Sequence, residues 1–113
     1  MTAGVPEHPL IPQPPATVAA LRQAVARVAP AALPAFTREA DAAADEACQA
    51  SDPGPLRKFI ASWAAYVHVQ RHPHIAARFR ELEDLVAASE DEAQVREAAA
   101  ELGRMLDDAY DGL

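Results

Sequence analysis

The apolar residues of this chain recur every three or four positions in five stretches that are separated by prolines or capping residues. That spacing places side chains on one face of an α-helix, and no stretch shows the period of two that is typical of strands. Alanine supplies 28 of the 57 apolar residues, and it enters a helix without losing side-chain entropy. The pattern predicts an all-α protein, a compact bundle of four to five helices in one domain over residues 16–113.

Each predicted helix carries one apolar stripe. The helices are predicted over residues 17–29, 34–50, 55–72, from 73 onward, and from a capping box at 89–92 to near the end. The stripes are Val18, Leu21, Val25, Val28; Phe36, Ala40, Ala43, Ala44, Ala47; Leu56, Phe59, Ile60, Trp63, Val67; Ile75, Phe79, Leu82, Leu85, Val86; and Val95, Ala99, Leu102, Leu106, Ala109, Leu113. The third stripe contains the largest side chains, so we expect the centre of the core there.

Residues 1–15 contain five prolines, at positions 6, 9, 12, 14 and 15. Because proline fixes φ and lacks a backbone donor, we expect a disordered, extended leader here. The leader has no basic region followed by an apolar run, so it does not resemble a signal peptide. The lone Cys48 cannot form an intramolecular disulfide, and we expect a cytoplasmic protein without contact with membranes.

Charge is distributed unevenly along the chain. The net charge is −7, which disfavours a protein that coats nucleic acid or anionic membrane over its whole surface. By segment, the net charge is −4 over residues 37–52, +5 over 53–80 and −9 over 81–113. A basic centre is therefore followed by a strongly acidic end.

The acidic end predicts an interaction surface. The expected partner is a protein with a basic surface, or a second copy of the chain, because such fields set encounter rates and partner choice. The predicted contact residues are Glu97, Glu101, Asp107, Asp108 and Asp111. No nucleophile elbow, phosphate loop, dinucleotide fingerprint or paired-cysteine motif is present, so we expect a non-enzymatic interaction module without a cofactor.

Two alternatives remain open at this point. The first is a small nucleic-acid or anionic-ligand binder that uses the basic side chains of Arg57, Lys58, Arg71, Arg78 and Arg80. The second is a metal-binding bundle, since His68 and His72 are four residues apart on one helical face and His74 follows closely. Against the second, Arg71 opposes a cation, and histidines near a helix C-terminus are favourable without metal.

Several short segments carry a resemblance to a known family. They are 17–21 (TVAAL), 36–39 (FTRE), 52–56 (DPGPL), Trp63 and 71–73 (RHP). From Thr17 to Val86 their order resembles a family of short, helical proteins of high-GC actinobacteria, known as a domain of unknown function. The resemblance implies a small helical protein with a leader. It also implies an antitoxin-like or regulatory role, because some relatives are encoded beside toxin-like proteins. The long acidic final helix departs from that family.

Overall fold

The computed structural model describes residues 8–112, and these residues form five α-helices and no strand. The helices are α1 (Val18–Val28), α2 (Leu33–Ala50), α3 (Gly54–Gln70), α4 (Pro73–Ala88) and α5 (Glu92–Asp111), with a short 3-10 turn at Pro30–Ala32. The predicted all-α bundle is confirmed. Within the described part of the chain, no helix is both long enough and apolar enough to cross a membrane.

The helix boundaries follow local capping chemistry. The Thr17 hydroxyl accepts a hydrogen bond from the Ala20 N–H at 3.1 Å, as predicted for the cap of α1. The predicted capping box at Ser89 is wrong by two residues, because the Asp91 carboxylate accepts hydrogen bonds from the Ala93 and Gln94 N–H groups in the first turn of α5. Ser89 instead ends α4, since its N–H donates to the Leu85 carbonyl at 3.0 Å. The Ser89 hydroxyl accepts from the Asp91 N–H at 3.2 Å, so it contacts the cap residue of α5 and not the N–H groups of the helix itself.

Helix α3 lies between two cores. The first core joins α1 and α2 to one side of α3 through Phe59, Trp63 and Val67. The second joins α4 and α5 to the other side through Ala65 and Val69. Among the described residues, α1 and α2 do not contact α4 or α5. The domain is thus two three-helix units that share α3, and α3 carries the largest apolar stripe, as predicted.

The predicted stripes are confirmed at some positions and wrong at others. Phe36, Leu82 and Trp63 are buried, whereas the predicted inward residue Ala44 is exposed. Three further errors are of the same kind: Ala99 is exposed, Ile75 is 38% exposed and Val86 is 36% exposed. Ala76 and Ala98 take the inward positions next to Ile75 and Ala99. Leu113 lies outside the described residues.

Residues 10–13 of the predicted leader lie along α3. The Leu10 N–H donates to the Arg71 carbonyl at 2.7 Å, and the Arg71 guanidinium donates to the Ile11 carbonyl at 3.2 Å. The Gln13 amide donates to the Ala64 carbonyl at 3.3 Å, and Ile11 packs against the first core. A proline-rich segment cannot pair its backbone groups within itself, and here the Leu10 N–H and the Ile11 carbonyl are paired with Arg71 at the end of α3. Residues 1–7 lie outside the described residues.

Candidate functional site

The outward face of α5 carries exposed carboxylates. Ala98 and Ala109 are buried on the inner face, while four of the five predicted contact residues point to solvent: Glu97, Asp107, Asp108 and Asp111. Within residues 8–112, the ion pairs are those of Arg78 with Glu81 and with Glu101. Among these described residues, no cation therefore lies within 4.0 Å of the four acids.

Glu101 is the fifth predicted contact residue, and it is already paired with a residue of α4 at the surface. Its two carboxylate oxygens accept from Nε and Nη2 of Arg78 at 2.8 and 3.1 Å. The hydrogen bond from Arg78 holds the pKa of Glu101 below its usual value and raises the pKa of Arg78. One predicted partner residue and one predicted anion-binding residue thus neutralise each other and join α4 to α5.

A cleft of about 380 Å³ lies where α3, α4 and α5 meet. Its walls are apolar at Val69, Ile75, Met105 and Ala109. The charged and imidazole side chains around it come from all three predicted sets, and they are His68, His74, Arg78, Glu101 and Asp108. The structure therefore brings together residues that the sequence assigned to three different functions.

The histidines do not form the predicted three-histidine set. The rings of His68 and His72 pack edge to face with centroids 5.3 Å apart, while His74 faces the cleft with His68. In the described part of the chain, no three histidine, cysteine or carboxylate side chains are arranged to hold a metal ion. The Nδ1 atom of His68 is buried without a hydrogen-bond partner. Four-residue spacing alone does not supply a third ligand.

Burial and the nearby Arg71 charge lower the pKa of His68 and His72 below the usual 6.5. The unfolded chain therefore binds more protons near pH 6 than the folded chain does. The stability due to the neutral rings is present above about pH 6.5, and it is lost as pH falls through the folded-state pKa. The pKa of Glu101 is lowered by Arg78, so this carboxylate titrates in a more acidic window.

We accordingly expect the melting temperature to fall between pH 7.5 and pH 5.5, and to fall less in the His68→Gln, His72→Gln variant. The measurement is circular dichroism melting at both pH values. The single variant His74→Gln is the matched control, because it removes a histidine outside the ring pair. An equal fall in the parent and in the double variant contradicts the prediction.

The five predicted anion-binding residues do not form one surface. Arg71 holds the leader, and Arg78 is bound to Glu101. The other three lie elsewhere: Arg57 beside Gln13 and Pro14, Lys58 in a groove with acidic residues, and Arg80 near Tyr66. Residues that are close in sequence are spread around two helices, so the +5 segment does not become a basic patch.

Sequence reasoning missed the acidic groove between α2 and α3. The groove measures about 440 Å³, and its carboxylates are those of Glu39, Glu46 and Asp52. The Trp63 indole donates to Glu39 at 3.3 Å across the same boundary. The net charge of −4 over residues 37–52 was the sequence feature that could have indicated this groove. The apolar cleft walls, such as Ile75, gave no signal, because their stripe was assigned to the core.

Comparisons of the chain with family models, with curated proteins and with solved structures found no match. The resemblance of residues 17–86 to the actinobacterial family therefore stays a prediction.

Proposed function

We propose that this chain is a non-enzymatic protein-interaction module that binds a basic protein partner through the outward face of α5. The observation that supports the proposal is the set of exposed carboxylates on that face without partners among the described residues: Glu97, Asp107, Asp108 and Asp111. The predicted anion-binding residues are less suited to a partner, because Arg78 is bound to Glu101 and Arg71 to the Ile11 carbonyl.

The charge on α5 has an energetic reason to recruit cations. Asp107 and Asp111 are four residues apart on one helical face, an arrangement in which like charges destabilise a helix. A partner with lysine or arginine relieves this repulsion when it binds, and its approach is accelerated by the negative field. The narrower role, an antitoxin-like or regulatory partner, is supported only by the family resemblance.

The test starts with a pull-down from the native host and mass-spectrometric identification of the partner. We then expect the association rate to fall steeply as salt rises past about 0.15 M, where the Debye length is about 8 Å. Replacing Asp107, Asp108 and Asp111 with Asn is expected to slow association about tenfold at low salt. The dissociation rate should change less, and the fold should stay intact by circular dichroism.

The matched control removes the same number of charges elsewhere, from the exposed residues Asp45, Glu83 and Asp84. These residues lie on α2 and α4, so their replacement with Asn or Gln should leave the association rate close to that of the parent. If the association rate ignores both salt and the α5 substitutions, the acidic face does not bind the partner. In that case the proposed function is wrong.

A further inference from the structure

The exposed acids of α5 lie beside an apolar cleft, and the combination points to a particular kind of partner. We infer that the cleft between α3, α4 and α5 is an anchor site, which takes one large apolar side chain from a lysine- or arginine-rich segment of the partner. This inference rests on the proposed function. It adds what the partner must carry besides positive charge.

The shape of the cleft fits a side chain. Val69 and Ala109 are almost fully buried at 1% and 2% exposure, so they form a floor, whereas Ile75 is 38% exposed at the mouth. Met105 adds a flexible apolar wall, which adapts to side chains of different shape. The volume of about 380 Å³ is at the small end of ligand sites in proteins. The four apolar lining residues supply contact area for one leucine or aromatic side chain.

The charges around the cleft favour basic residues next to that side chain in the partner's sequence. Asp108 lines the cleft and belongs to the acidic face, so a cation that pairs with Asp108 or Asp111 carries its neighbours to the cleft mouth. The positive charge of Arg78 is balanced by Glu101 at 2.8 Å and by Glu81 at 3.2 Å. A basic segment therefore meets a negative rim around an apolar floor.

The cleft is also formed before any partner arrives. The two hydrogen bonds between Arg78 and Glu101 tie α4 to α5 at the cleft wall, and Val69 and Ala109 belong to the second core. A preformed pocket does not have to be ordered on binding, which preserves affinity. In such interfaces an apolar anchor in a pocket supplies most of the binding energy, and the surrounding charges mainly set the rate.

The test uses two synthetic peptides of about fifteen residues, rich in lysine and alanine, that differ only in a central leucine or alanine. We expect the leucine peptide to bind about tenfold more tightly, which corresponds to about 1.4 kcal/mol. Dissociation constants are measured by fluorescence anisotropy at low salt. In the Ile75→Ala variant the preference should shrink to about threefold, because one cleft wall is lost.

Val86→Ala is the matched control. Val86 is on the same helix and is 36% exposed, close to the value for Ile75, but it does not line the cleft. The leucine preference should be unchanged in this variant. A preference that stays tenfold in Ile75→Ala, or one that is lost in Val86→Ala, places the anchor elsewhere and overturns the inference.

Two further outcomes separate this inference from the proposed function. If both peptides bind equally, and binding is lost in the triple Asn variant of α5, the anchor is wrong while the acidic interaction surface stands. If neither peptide binds at low salt, both proposals are wrong. Leucine-dependent binding that ignores the α5 substitutions contradicts the acidic surface, and with it the inference that the cleft selects a basic segment.

Discussion

Replacing Trp63 with alanine is expected to lower the free energy of unfolding by about 3–5 kcal/mol. Trp63 is 7% exposed and is the aromatic centre of the first core. Its ring lies edge-on at 5.1 Å from both Phe36 and Tyr66, and 6.3 Å from Phe59. Removing it leaves a cavity among rings that cannot all move inward, because α1, α2 and α3 meet at this point.

A loss of that size is a large share of the total stability of a small domain, which is about 5–15 kcal/mol. The hydrogen bond from the indole to Glu39 at 3.3 Å contributes less, because Glu39 is exposed and regains water in the variant. The measurement is urea unfolding followed by circular dichroism, since the variant has no tryptophan left for fluorescence.

The control for Trp63→Ala is Tyr110→Ala. Tyr110 is 44% exposed, and its hydroxyl reaches Ser62 only at 3.4 Å. We expect its removal to shift the urea midpoint little. If Trp63→Ala shifts the midpoint no more than Tyr110→Ala does, the indole is not part of the core packing, and the description of the first core is wrong.

The helices were predicted well from the sequence because the residues that start and end them act on neighbouring backbone groups. Thr17 caps α1 with its own hydroxyl, and prolines stand at the starts of α3 and α4. The division into two cores was not predicted. It depends on Trp63 and Ala65 facing opposite sides of α3, and a single stripe of large residues does not reveal that a second, small-residue side is also buried.

Alanine explains two of the four errors in the predicted faces. Ala44 was assigned inward and is exposed, while Ala98 is buried in place of Ala99. One methyl group changes the transfer free energy little whether it is inside or outside, so spacing alone cannot fix the rotation of an alanine-rich helix. Large residues such as Phe36 and Leu82 fix the rotation, and at these positions the prediction is confirmed.

The exposed acids of the candidate site could be predicted from the sequence, whereas the cleft beside them could not. The exposed acids of α5 were found directly, because a helix with one apolar stripe must turn its other residues outward. The pair of Arg78 with Glu101 joins residues 23 apart in sequence, and no local pattern indicates it. The cleft wall at Ile75 likewise depends on how α4 rotates against α3 and α5.

The shared helix α3 leads to an expected result for the second core. Phe79→Ala is expected to lower the free energy of unfolding by about 3–5 kcal/mol, because Phe79 is 7% exposed and packs with Ala65, Val69 and Ala109. Trp63 lies in the other core, yet its fluorescence should report the same loss. When α4 and α5 detach, one whole side of α3 is exposed to water, and α3 then no longer supports α1 and α2.

The measurement follows urea unfolding of Phe79→Ala by Trp63 fluorescence and by circular dichroism. Both midpoints should move together to lower urea, as two-state unfolding of one domain requires. Val86→Ala on the same helix is the control, and its midpoints should stay near those of the parent, since Val86 is 36% exposed. If helical signal is lost early while Trp63 fluorescence keeps the parent midpoint, the two three-helix units unfold separately. The first core is then stable without α4 and α5, and the acidic helix with its cleft can detach or rearrange on binding while Trp63 stays packed.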